Sequence, residues 1–235
     1  MQTRQQALAT AQLYVRRFYT KVPIRDTNPY LVLATCLYLA LKMEECPQHI
    51  RIVVSEARTI WSDMMPNDTA KLAECEFYVI SEMNSYLIVH HPYRMLKELG
   101  PVLQLTAEET NTSWQVINDS CMTDLPLIYP PHVIALTAIF LAVVLKPSMT
   151  HAGIQGGLAA AGSAVSAAVA GNGQGPQGRI GKLIEWYAES KVDMEAVIDA
   201  TQEIVSLYEV WEGFTPSFEK TCKEQLARMV KQRGM

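Results

Sequence analysis

The sequence predicts an all-α protein built as two similar helical bundles in tandem. Apolar residues recur at helical spacing through almost every segment, and extended alternating runs are nearly absent. A helix-length apolar segment recurs 102 residues further along, the mark of an internal repeat. The 235 residues are 49 % hydrophobic and 19 % charged, so the chain forms a core and has room for two domains of about 100 residues.

The first expected helix covers 4–21, with Leu8, Ala11, Val15 and Phe18 on one stripe. Asn28-Pro29 opens the second, Tyr30–Lys42, where proline at the first helical position loses no needed N–H. That helix is apolar nearly all round until Lys42, as expected inside a bundle. Residues 49–62 and 67–86 supply two more, the latter capped by Asn67 or Asp68. His91-Pro92 begins a second series over 92–99, 106–124, 131–146, 179–189 and 193–212. The expected bundles are 1–90 and 91–214, with 215–235 a tail or short helix.

The repeat sets Pro29 to Ala40 against Pro131 to Ala142. Proline, threonine, leucine and alanine coincide at 29/131, 35/137, 39/141 and 40/142. The last helices match at a shift of 125, Leu72-Ala73-Glu74 with Val197-Ile198-Asp199. The extra residues fall in 147–178, where 16 of 32 positions are Ala or Gly and none is charged. Such a stretch has too little apolar area to fold alone, and its Gly-Asn-Gly-Gln-Gly-Pro-Gln-Gly end is not expected to be helical. Of two readings, a loop inserted between helices or a small-residue packing motif like those of membrane helices, this composition favours the loop.

Charge and motifs exclude several classes. Twenty basic against 24 acidic residues give −4, without the surplus of a general nucleic-acid binder. The longest aliphatic run, Val133 to Leu145, has 13 residues, short of the about 20 of a membrane span. The first residues lack the apolar core of a signal peptide, so cytosol or nucleus is expected. Cys36, Cys46, Cys75, Cys121 and Cys222 include no CxxC pair and read as reduced core residues, not as a disulfide or zinc framework. No phosphate-loop, dinucleotide, zinc-protease or nucleophile-elbow motif occurs. His90-His91 reads as a helix start rather than a metal pair. No enzyme, metal or cofactor is expected.

Two charges stand in apolar surroundings. Lys42 ends a buried helix where the second copy has Val144, and Glu76 lies within Leu72 to Ile80 where the second copy has Thr201. One reading is a solvated helix end and a surface Glu. The other is a polar contact with another chain, which the joint loss in the second copy favours.

Leu39-Ala40-Leu41-Lys42-Met43-Glu44-Glu45 and the Leu72 to Tyr78 run resemble the cyclin family, and the resemblance covers about residues 4–212. Glu74-Cys75-Glu76-Phe77-Tyr78, His91-Pro92-Tyr93-Arg94, Tyr129-Pro130-Pro131 and Val192-Asp193-Met194-Glu195 are most similar to the cyclin C branch, with cyclin H, K or T types as alternatives. The resemblance implies tandem cyclin boxes of five helices, the first missing its first helix. A family helix at the centre of that box would then be absent, leaving 4–21 and 30–42 partly uncovered. It also implies a non-catalytic nuclear subunit that activates the cyclin-dependent kinase of the Mediator kinase module. Lys42, Glu76, Glu45 and Glu44 would face the kinase. Trp114, Asn118, Asp119 and Tyr208 would line a groove for other Mediator kinase-module subunits, unless Trp114 and Tyr208 belong to the core. No direct nucleic-acid or membrane partner is implied. A cyclin-fold transcription scaffold without a kinase remains the alternative, and the lack of a basic stripe counts against it.

Overall fold

The computed structural model describes residues 2–144 and 176–232, and every regular element among them is helical. The elements are α1 (Gln5–Tyr19), a 3-10 turn (Ile24–Asp26), α2 (Pro29–Met43), α3 (Ile50–Ile60), α4 (Thr69–Glu82), α5 (Pro92–Val102), α6 (Ala107–Ser120), α7 (Leu125–Ile128), α8 (Pro131–Val144), α9 (Pro176–Glu189), α10 (Met194–Glu212) and α11 (Pro216–Gln232). None is long and apolar enough to cross a membrane. Two compact units result: residues 1–90 with 214–235, and residues 91–213.

In the first unit α2 is the centre, packed against α1, α3 and α4. This is the apolar helix expected after Asn28-Pro29, one residue longer at each end. Asn28 fixes where α2 starts. Its Oδ1 accepts from the N–H of Tyr30 at 3.1 Å, and its amide donates to the Met64 carbonyl at 2.9 Å. One side of α2 (Val32, Cys36, Leu39, Ala40) joins Tyr14 and Phe18 of α1 and Val79 of α4. The other side (Ala34, Leu41) joins Val53, Val54 and Ala57 of α3. A two-sided core is what an apolar-all-round helix requires. On α1 the buried stripe is Ala7, Thr10, Ala11, Tyr14 and Phe18, with Leu8 38 % exposed. The expected stripe was rotated by one residue, because the small Ala7 and Thr10 give no hydrophobic signal. Tyr14, fully buried, donates to the Leu87 carbonyl at 2.5 Å. Burial and the nearby Glu44 carboxylate push its hydroxyl up to about 12.

In the second unit α8 takes the same place, packed against α5, α6, α7, α9 and α10. Eleven of its 14 residues are buried, so it touches protein on all sides. Ile180, Leu183 and Tyr187 of α9 and Val197, Ala200 and Ile204 of α10 close around it. The Tyr187 hydroxyl donates to the Leu136 carbonyl at 2.7 Å. Thr106 starts α6 with a reciprocal capping box to Glu109, both bonds present. His91 precedes α5 as its N-cap, with Pro92 in the first turn.

Several details differ from the sequence reading. The loop expected over 147–178 lies outside the described residues except at 176–178, which form the first turn of α9 and are helical, not irregular. Proline at the first position lacks only an N–H that has no helical acceptor there. Pro101 does not end α5, since it stands near a terminus where few i−4 bonds remain to lose. The segment expected as a tail or short helix is α11, of 17 residues. Among the cysteines only Cys36 is fully buried; Cys46, Cys75, Cys121 and Cys222 are half-buried, and all five are free thiols.

Candidate functional site

Lys42 stands in the last turn of α2, where a cation suits the carbonyl end of the helix. Its ammonium pairs with the Glu76 carboxylate in the middle of α4. Glu76 is 8 % exposed, so it is not the surface residue that the plainer reading assumes. Its buried Oε1 has no aligned hydrogen bond among the described residues, and the ion pair with Lys42 is what offsets its burial. The Lys42 side chain is 39 % exposed, and its ammonium also lies 4.5 Å from the ring centre of Tyr38, one turn back. The pair thus has a covered acidic end and an open basic end. Two of the three ammonium protons remain free to turn outward.

The turn after α2 places the two glutamates differently. Its backbone closes with the N–H of Cys46 on the Leu41 carbonyl (2.9 Å) and that of Glu45 on the Lys42 carbonyl (3.3 Å). This closure puts Glu45 in the left-handed region, φ 53°, usually left to glycine. Glu45 is exposed. Glu44 is half-buried and turns inward: its Oε1 accepts from the buried Thr10 hydroxyl of α1 at 2.6 Å. Of the four residues, Lys42 and Glu76 come together, Glu45 faces solvent, and Glu44 braces α1. Next in sequence to the pair, Met43 and Phe77 are exposed, at 39 % and 72 %.

The second copy lacks the pair. Val144 is 7 % exposed, and the Thr201 hydroxyl donates to its own helix at the Val197 carbonyl, 2.7 Å. Trp114, Asn118, Asp119 and Tyr208 lie in this unit, each engaged within it. Trp114 stacks on Tyr93 with ring centres 4.4 Å apart, and the Tyr93 hydroxyl donates to Asn118 Oδ1 at 2.8 Å. The Tyr208 hydroxyl donates to Asp119 Oδ2 at 2.9 Å. Desolvation raises the Asp119 carboxyl, opposed by that hydrogen bond, and burial drives the Tyr208 hydroxyl upward.

Tyr38, Thr10 and Tyr93 complete these arrangements, and the sequence reading did not single them out. Tyr38 stands four residues before Lys42 on one helix face, a spacing that could have shown the contact. Thr10 carried no such signal, because its partner is 34 positions away. No group of three or more His, Cys, Asp or Glu among the described residues could hold a metal ion.

Residues 1–88 match the cyclin N-terminal domain family. The chain belongs to the cyclin family. It is similar to the RNA polymerase II holoenzyme cyclin-like subunit of Aspergillus oryzae, with 59 % identity over 241 residues, covering 100 % of this chain and 79 % of that protein. It resembles the subunit of the same name from Neurospora crassa at 45 % identity over 287 residues, with 100 % of this chain and 82 % of that protein covered. A solved chain of the CAK complex from Chaetomium thermophilum, bound to ATP-γ-S, shares the fold. Its TM-score is 0.62 at 16 % identity, over 97 % of this chain and 65 % of that one.

Proposed function

We propose that this chain is a cyclin C-type regulatory subunit. It binds and activates the cyclin-dependent kinase of the Mediator kinase module, and so regulates transcription by RNA polymerase II in the nucleus. The observation that carries this reading is the 59 % identity to an RNA polymerase II holoenzyme cyclin-like subunit along the whole chain. The Lys42–Glu76 pair on the first unit supports it and supplies a mechanism.

An inactive kinase of this class holds its αC helix outward, so that the αC glutamate cannot reach the lysine that orients ATP. The face formed by the end of α2 and by α4 packs against αC and moves it inward. The open ammonium of Lys42 donates to carbonyl groups of the segment leading into αC, and the exposed Met43 and Phe77 add apolar area. Glu76 orients Lys42 while exposing little of itself, which makes it a positioning residue whose contact with the kinase runs through the lysine. Glu45, held outward by its turn, offers a carboxylate to arginines near the activation loop in place of a phosphate. Within the second unit, the Trp114 to Tyr208 surface receives another kinase-module subunit. The chain contributes no catalytic group.

The test is reconstitution of the kinase with this chain. Phosphate transfer to a serine-containing peptide should rise by orders of magnitude over the kinase alone. Equal rates with and without the chain would contradict the proposal.

A further inference from the structure

A second feature of the first unit lies apart from the Lys42–Glu76 pair. A cleft of about 400 Å³ opens between α3 and the start of α4. Arg51, Ser55, Arg58 and Thr59 line it, at steps of four, three and one along α3, so they share one helix face. Asn67 and Thr69 line it from the other side, where the positive end of the α4 dipole adds to the field. Asp68, the N-cap between Asn67 and Thr69, is turned onto its own helix, accepting from the Ala70 N–H at 2.8 Å, and Glu56 is not among the lining residues.

We propose that this cleft docks a phosphorylated serine or threonine on a peptide segment of a partner protein. Among the described residues neither guanidinium has a carboxylate partner, and the buried Arg58 Nε has no acceptor at all. Two arginines lining one cleft without counter-charge suit an anion. The Thr59 hydroxyl is committed to the Ser55 carbonyl at 3.0 Å, leaving Ser55 and Thr69 as neutral donors. A carboxylate has two oxygens and one charge, which a single guanidinium fork satisfies. A phosphoryl group brings three acceptor oxygens and a charge near −2, matching two forks and the hydroxyls. The volume is far larger than a free phosphate fills and falls in the range of about 300–1,000 Å³ for ligand sites. That leaves room for the residues flanking a phosphorylated side chain, over the apolar Val54.

The experiment uses the full chain and a dye-labelled alanine-glycine hexapeptide with one central phosphothreonine, read by fluorescence anisotropy. The phosphopeptide should bind and its threonine form should not. Affinity should fall about tenfold to a hundredfold in Arg58→Gln, the loss of a charge-assisted contact. Arg51→Gln, at an exposed position, should do the same with an unchanged melting curve, which guards against a folding defect at Arg58. Lys42→Ala and Glu76→Ala should leave peptide affinity unchanged, so this site and the kinase reading fail separately. Equal binding of both peptides, or no effect of either arginine variant, would overturn the proposal. So would inorganic phosphate competing at concentrations equal to the phosphopeptide, which would make the site one for the free ion.

Discussion

The Lys42–Glu76 pair is asymmetric, and single substitutions should expose this. Lys42→Ala strands the Glu76 carboxylate, which is 8 % exposed, and should cost about 1–3 kcal/mol of stability. Glu76→Ala leaves a lysine that can reach water and should cost clearly less. Urea unfolding of both variants measures the difference, and equal losses would contradict it. Asp119 allows a test in pH. Its folded carboxyl is raised above the ordinary value, chiefly by desolvation, so the folded state binds the proton more tightly than the unfolded chain. Its contribution is fully present below the unfolded value and is lost as pH rises through the folded one. Asp119→Asn keeps an acceptor for Tyr208 and removes that loss. It should melt higher than the parent at pH 7, with the gain vanishing as pH falls below the carboxylate range. The sequence pointed to Lys42 and Glu76 because their repeat partners are uncharged. It could not show that Tyr93 and Tyr208 take up Asn118 and Asp119, since those partners lie 25 and 89 positions away.

Helices were legible where apolar residues are large and periodic, as in α2, α8 and α10. Their ends were less so. Proline and asparagine at 28–29 announced the start of α2, but α2, α4 and α5 finish in left-handed turns on Glu45, Asn84 and Gln104 instead of glycine. With no glycine to mark them, these stops were invisible, and helical spacing overran the ends of α4 and α6. The same turns make a prediction. Glu45→Gly relieves a side chain from φ 53° and should stabilise the first unit by about 0.5–1 kcal/mol, even though it removes a proposed kinase contact. A rise in melting temperature beside weaker kinase activation is the expected pairing; a fall in melting temperature would contradict the strain. In α8, Leu136 is 2 % exposed inside a helix buried on every side. Leu136→Ala should cost about 2–5 kcal/mol, read by denaturant unfolding. A loss below 1 kcal/mol would mean that the core around α8 is not close-packed.

The two units share a plan, a central apolar helix surrounded by others, and differ in what they present. The first sets a charged pair, exposed Met43 and Phe77, and a basic cleft on its helices; the second keeps Val144 and a self-bonded Thr201 at the equivalent places. Duplication with loss of charge in one copy was readable directly from the chain, because aligned copies act as internal controls for each other. The basic cleft was not, because Arg51 and Arg58 belong to a helix with no counterpart pattern, and the start of α4 reaches them only through folding. In the proposed mechanism the first unit grips a kinase through Lys42 as positioned by Glu76. The most direct measurement is kinase affinity and activation for the Lys42→Ala/Glu76→Ala double variant, beside its melting curve. Removing both charges leaves no stranded carboxylate, so the fold should persist while affinity drops about tenfold to a hundredfold, the effect of losing a charge-assisted interfacial bond. Val133→Ala should show the reverse order, with stability lost first. Parent-like affinity in a folded double variant would contradict the claim.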